Sequence, residues 1–161
     1  MIYELVPNTD PILKQKLDLF DFNHPPTDPN QLAHDITQSV IHYQGWGLAA
    51  NQLGLPYRVF VINSDPKFVC FNPRIVDQST EEVKMLEGCL SFPKLTLNIQ
   101  RFTAIRARFT LPNGETITKD FTGATSRIFQ HELDHLNGIL FTTKISRLEL
   151  DIARRKANKK K

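Results

Sequence analysis

Residues 101–111 alternate apolar and polar side chains, with Ile105, Ala107, Phe109 and Leu111 on one face. A period of two suits a half-buried strand and no helix. Pro112-Asn113-Gly114 follows as a hairpin turn signal, because Asn-Gly tolerates positive φ at both central positions. Ile117 and Phe121 then carry an apolar face along the returning strand. A strand that turns straight back on itself commits the chain to antiparallel sheet, without a crossover helix between neighbours.

Helical patterns lie on either side of this block. Asp28 reads as an N-cap and Pro29 as the first helical position. Leu32, Ala33, Ile36, Val40 and Tyr43 follow at helical spacing, so roughly 29–44 is an amphipathic helix. A second helix is predicted from Thr125 to Asn137, stopped by Gly138. A third starts near Ser146, where Ser146 and Glu149 make a capping box. Tyr57 to Ile62 reads as a buried strand, and Phe68 to Phe71 as another, stopped by Asn72-Pro73.

The 161 residues suit one domain with a sizeable core. Hydrophobic residues at 40% and charged residues at 23% are ordinary for a globular chain. No apolar run approaches the ~18 residues that span a bilayer. Met1 to Pro7 lacks the basic and apolar regions of a signal peptide, so an intracellular, cytoplasmic protein is expected. Cys70 and Cys89 are then unpaired thiols; Cys70, between Val69 and Phe71, reads as a core residue. The net charge of +3 conceals an asymmetry: outside residues 154–161, which hold six basic groups, 14 basic groups face 17 acidic ones. This divides the chain into a folded domain over 1–153 and a basic tail over 154–161. Such a tail suits a polyanion such as RNA, or is a solvated terminus.

The chemistry concentrates at Gln130-His131-Glu132-Leu133-Asp134-His135. Positions i and i+4 share a helix face, so His131 and His135 can grip one metal ion, with Glu132 near its open side as a proton acceptor. A catalytic site of this kind takes three protein ligands. A zinc-protease pattern would place a third histidine at 141, where the chain has Phe141. Glu149 sits in the capping box, and His24, His34 and His42 lie far upstream. Cys89, beside a turn glycine in Glu87-Gly88-Cys89-Leu90-Ser91, is the strongest remaining candidate, since a thiolate binds zinc or ferrous iron well.

Three segments now stand in order: Gly45-Trp46-Gly47-Leu48-Ala49-Ala50-Asn51-Gln52, Glu87 to Ser91, and Gln130 to His135. Together they resemble the signature motifs of the peptide deformylase family, collinear from about Pro7 to Ile145. The resemblance implies an α+β fold, with antiparallel β-sheets packed around a central metal-binding helix, an N-terminal amphipathic helix and a C-terminal helix. It implies that Cys89, His131 and His135 hold one divalent metal, natively ferrous iron, with zinc, nickel or cobalt able to replace it. Glu132 would be the base, and the Gln52 side chain and the Leu90 backbone N–H the donors to the developing oxyanion. Trp46, Gly47 and Gly88 would pair with the peptide backbone, and Met85 and Ile128, with Leu90, would line the methionine pocket. The implied reaction releases formate from an N-formyl-methionyl peptide; a monomer without membrane contact is expected, and the charge of the basic tail makes the ribosome its candidate partner. The setting would be a bacterial cytoplasm, a phage-infected host or an organelle. Two other readings stay open: a different metallohydrolase with Glu149 as third ligand, and a non-catalytic ribosome- or RNA-binding module. Trp46 fills a variable motif position with an unusually bulky ring, and no arginine follows the second motif until Arg101.

Overall fold

The computed structural model describes residues 1–159. Its helices are α1 (Pro29–His42), α2 (Gly123–Leu136) and α3 (Arg147–Asn158). Its strands are β1 (Gly47–Ala49), β2 (Val59–Ile62), β3 (Phe68–Gln78), β4 (Glu82–Cys89), β5 (Phe92–Phe102), β6 (Ala104–Thr110) and β7 (Thr116–Thr122). Five strands form one sheet in the order β1-β2-β3-β6-β7, and β4 and β5 form a second, two-stranded sheet. Every strand pairing is antiparallel. The α+β expectation therefore holds.

The larger sheet is covered on both faces, which explains the unbroken apolar run Val59-Phe60-Val61-Ile62. Val59 and Val61 pack with Leu32, Ile36 and Val40 of α1. Phe60 and Ile62 face the opposite way, into a cluster with Phe109, Phe121 and Phe129. Phe129 is the anchor of α2 in that layer: it is fully buried and meets Phe60 edge-on at a centroid distance of 5.0 Å. Among the described residues, no helix is long and apolar enough to cross a membrane.

The starts of α1 and α3 match the sequence, and α2 begins at Gly123, two residues before the expected Thr125. Asp28 accepts a hydrogen bond from the Asn30 N–H at 2.9 Å, and Ser146 accepts one from the Glu149 N–H at 3.1 Å. Gly138 ends the α2 region at φ +74°; a Cβ there would meet the Lys14 carbonyl at 2.7 Å.

Three local expectations need correction. First, Asn72-Pro73 does not stop β3. Asn72 takes φ +49°, the pairing with β6 shifts register between Phe71 and Arg74, and the strand runs on to Gln78. The Asn72 side chain accepts from the Phe20 N–H at 2.7 Å and donates to the Phe20 carbonyl at 2.9 Å, so the bulge is tied down. Second, the Asn-Gly hairpin has positive φ only at Gly114 (+89°). Asn113 instead accepts from the Glu115 N–H, and the loop closes between Leu111 and Glu115. Third, basic residues Arg154 to Lys156 are not a loose tail. α3 continues to Asn158, and Ala153 and Ala157 pack against the Leu95, Leu97 and Ile99 face of β5. Position 154 marks a change of charge rather than a break in structure. Lys160 and Lys161 lie outside the described residues.

Candidate metal centre

α2 presents His131 and His135 one turn apart on its buried face, and β4 delivers Cys89 from the second sheet. One donor atom from each of these three residues lies within 4.8 Å of the others. Cys89 Sγ stands 3.3 Å from His135 Nε2. His131 Nδ1 is held by Glu87 at 2.9 Å, which leaves its other nitrogen for the cluster. Glu149 is on α3, away from this group, and Phe141 packs edge-on against His131 at 5.5 Å. His24, His34 and His42 are all exposed.

The electrostatics of the cluster favour a cation. Burial opposes charge on His131, but hydrogen bonds to Cys89 and Glu87, with the Glu132 charge, raise its pKa to about 10. Burial, then the charges of His131 and Arg101, push His135 well below its ordinary value. Without another cation, a proton therefore settles on one imidazole; a divalent ion supplies the same positive charge to both imidazoles and the thiolate. One soft sulfur and two imidazole nitrogens suit ferrous iron, zinc, cobalt or nickel. The residues fit a metal, and among the described residues the cluster offers three ligands, leaving room for a non-protein fourth.

Glu132 lies beside the cluster, fully buried, with its Oε2 unpartnered. Burial raises its pKa to about 7, despite the opposing pull of His131 and Arg101. A carboxyl near neutrality can accept and return a proton at working pH. Gln52 sits in a 3₁₀ turn after β1 and is almost fully buried. Its oxygen accepts from the Ala49 N–H at 3.0 Å, and its amide nitrogen donates to Ser91 Oγ at 3.0 Å, with Cys89 Sγ 3.7 Å away. The amide is thereby oriented, with its nitrogen beside the sulfur.

All eleven residues singled out from the sequence fall in or around one place. Trp46, Gly47, Gln52, Met85, Gly88, Leu90 and Ile128 line a cleft of about 760 Å³ that also reaches Cys89, His131 and Glu132; His135 completes the cluster from beneath. Gly47 is required by the protein itself, since a Cβ there would meet Ile128 at 2.9 Å and Glu132 at 3.0 Å. Gly88 is different. Its nearest obstacle is 4.0 Å away, so nothing in the fold excludes a side chain there.

The groups that hold the cluster together belong to no metal-ligand pattern in the sequence. Arg101 is 2% exposed and donates to both Glu87 oxygens, at 2.6 and 2.9 Å, and to Asp134 at 2.7 Å. Arg127 binds Glu87 at 2.5 Å and the carbonyls of Val83 and Ile99. Against the opposing effect of burial, the hydrogen bonds from His131 and Arg101, with their charges, hold the Glu87 carboxyl down at about 2. Asp134, which could have oriented a histidine, instead holds Arg101. A signal was present: Leu95, Leu97, Ile99 and Arg101 share one face of β5, so Arg101 sits in an apolar register. Gln130, conspicuous in the motif, clamps β5 to α2 through the Phe102 N–H and carbonyl at 3.0 and 2.9 Å.

Comparisons with known proteins place the chain in a family. Residues 2–151 match the polypeptide deformylase family. The chain belongs to the peptide deformylase family. A peptide deformylase of Christiangramia forsetii is 33% identical, the alignment covering 92% of this chain and 84% of that one. One from Aquifex aeolicus is 34% identical over 90% of this chain and 88% of its own. The crystal structure of a Thermus thermophilus peptide deformylase superposes with a TM-score of 0.87 at 30% identity, covering 98% of this chain and 96% of that one. A Synechococcus elongatus peptide deformylase, solved in complex with actinonin, gives 0.86 at 30% identity, covering 97% of this chain and 86% of that one. As a deformylase the chain is a metal-dependent hydrolase, and Cys89, His131 and His135 form a cluster that could hold a metal ion.

Proposed function

We propose that the protein removes the formyl group from the N-terminal formyl-methionine of nascent polypeptides, releasing formate, with Cys89, His131 and His135 as ligands of one divalent metal. The observation that carries the reading is the convergence of those three donors beside a buried, near-neutral Glu132, at the inner side of a long cleft. We take the native ion to be ferrous iron, with zinc, nickel or cobalt able to occupy the same donors. When bound, such a cation supplies Lewis acidity, acidifying water and polarising the formyl carbonyl.

The chain's own groups do the rest. Glu132 takes the proton from the attacking water and later delivers it to the departing methionine nitrogen. The Gln52 amide and the Leu90 backbone N–H donate to the oxygen that gains negative charge. Each such donor is worth roughly 3–4 kcal/mol at the transition state. β1 ends the larger sheet and β4 borders the smaller one, and both flank the cleft. An extended peptide can therefore add as a strand between them, at Trp46, Gly47 and Gly88. The open space at Gly88 is where a substrate backbone fits against β4. Met85, Leu90 and Ile128 receive the methionine side chain.

The test is formate release from formyl-Met-Ala-Ser by anaerobically purified, iron-loaded protein. Glu132→Ala should retain the metal but lose about 10²–10⁴-fold in turnover. Turnover at the parent rate would remove Glu132 from the mechanism. We extend the proposal to a ribosome contact made by a monomer, in the compartment where formylated chains are made. Arg154, Arg155, Lys156 and Lys159 are exposed on or just after α3, and cations at such spacing suit a phosphate backbone. Replacing the basic residues of 154–161 with glutamine should weaken ribosome co-sedimentation without slowing turnover of a short formyl peptide; unchanged co-sedimentation would remove the ribosome from the proposal.

A further inference from the structure

Trp46 is the protein's single tryptophan, and it is 73% exposed. A large ring left in water on a rigid backbone is informative, and this backbone is rigid. The Asn63 N–H donates to the Trp46 carbonyl at 2.8 Å, and the Asn63 side-chain amide donates to the Gly45 carbonyl at 2.9 Å. The two flanking glycines face inward. A Cβ at Gly45 would meet Leu90 at 2.6 Å, and one at Gly47 would meet Ile128 at 2.9 Å. Trp46, between them, stands outward on one bank of the cleft.

Leu86 stands on the other bank. β4 alternates, and Glu87 turns inward to His131 and Arg101, in register with buried Leu97. Leu86 therefore turns outward, in register with exposed Asn98, and is 65% exposed. Both side chains line the same cleft. A peptide added between the banks alternates in the same way. With its methionine side chain inward, the next side chain points outward, between Trp46 and Leu86.

We propose that Trp46 and Leu86 form a two-sided apolar wall that reads the residue after the formyl-methionine and favours large apolar or aromatic side chains there. The inference rests on the deformylase reading of the cleft. A rigid aromatic ring is suited to this task, because it offers a large contact at little conformational cost.

The test uses the full-length, metal-loaded protein and the series formyl-Met-X-Ser, with X as Phe, Leu, Gly or Asp. The expected kcat/KM for X = Phe exceeds that for X = Gly by about tenfold, the scale of a modest apolar contact. Trp46→Ala and Leu86→Ala should each reduce that ratio at least threefold, and Trp46→Phe should preserve most of it. Leu19→Ala removes another exposed apolar side chain, outside the cleft lining, and should leave the ratio alone. Unchanged ratios in both wall variants, or Asp preferred over Phe, overturn the proposal. Absence of formate from every member of the series would instead overturn the deformylase reading. A second readout needs no turnover: titration with unformylated Met-Phe-Ser should shift the emission of the lone tryptophan to the blue, and Met-Gly-Ser should not. Equal emission with both peptides counts against the wall.

Discussion

The two sheets of this molecule are held to α2 by different physics, and the proposed metal centre straddles them. On one side, α2 meets the five-stranded sheet through Phe129, packed among Phe60, Phe109 and Phe121. On the other, it meets β4 and β5 through polar groups: the ions Glu87 and Arg101 from the strands and Arg127 and Asp134 from the helix, with the Gln130 amide on Phe102. The first contact is non-directional and fixes the depth of the helix. The second is directional, with paired hydrogen bonds at defined angles. The two histidines belong to the helix and Cys89 belongs to β4, so the charged side sets the distance between sulfur and imidazole. A merely apolar contact could slide by an ångström without much loss; a forked arginine pair cannot.

Removing Arg101 tests this most severely. Arg101→Met leaves Glu87 and Asp134 buried with too little positive charge, at a cost of about 3–5 kcal/mol of stability. It should also release the metal, because β4 loses its alignment on α2. Phe129→Ala opens a cavity in the apolar layer at a comparable cost, about 3–5 kcal/mol. Yet its folded fraction should keep the metal, since the charged contact is intact. Metal content per folded protein, measured beside thermal unfolding, separates the two variants. Equal metal retention at matched stability would erase the distinction between the two contacts.

The apolar side of this comparison was legible in the sequence and the charged side was not. Hydrophobic periodicity marks Phe109, Phe121 and α1 because burial follows spacing. The His131–His135 pair was legible for the same reason: it is a local property of one helix. Glu87, Arg101 and Asp134 are 14, 33 and 47 residues from one another by pairs, and only the fold brings them together. Even so, Arg101 in an apolar register carried a hint that a buried partner existed. β4 carries no strand signal for a related reason. β4 is exposed over most of its length, so no apolar alternation marks it. The continuation of β3 past Asn72-Pro73 depended on Phe20, 52 residues away, filling the hydrogen-bonding needs of the bulge.

A bound ion would itself join the two regions, so its removal should matter less than Arg101 but measurably. A ligand present at about 100 times its Kd stabilises by about 2.7 kcal/mol, which corresponds to roughly 5–10 °C in Tm for a chain of this size. Chelation should lower Tm by that order, and re-addition of ferrous iron under anaerobic conditions should restore it. In Cys89→Ala, which removes the proposed ligand on β4, the chelator should have little left to do. A chelator response of full size in that variant would place the stabilising ion somewhere other than between the sheets.

The mildest perturbation lies at the rim of the same charge cluster. Lys144 approaches Asp134 at 3.3 Å, but its side chain is 33% exposed, against 2% for Arg101. Water screens a pair at that depth, and an exposed ion pair contributes about 0.2–1 kcal/mol. Lys144→Ala should therefore shift Tm by no more than roughly 4 °C and leave metal content unchanged. Asp134 keeps its bond to Arg101 in that variant, so the fork on Glu87 is undisturbed. If Lys144→Ala sheds metal as Arg101→Met does, the alignment of Cys89 on α2 depends on total charge around Asp134, and the directional reading of the Arg101 fork is wrong.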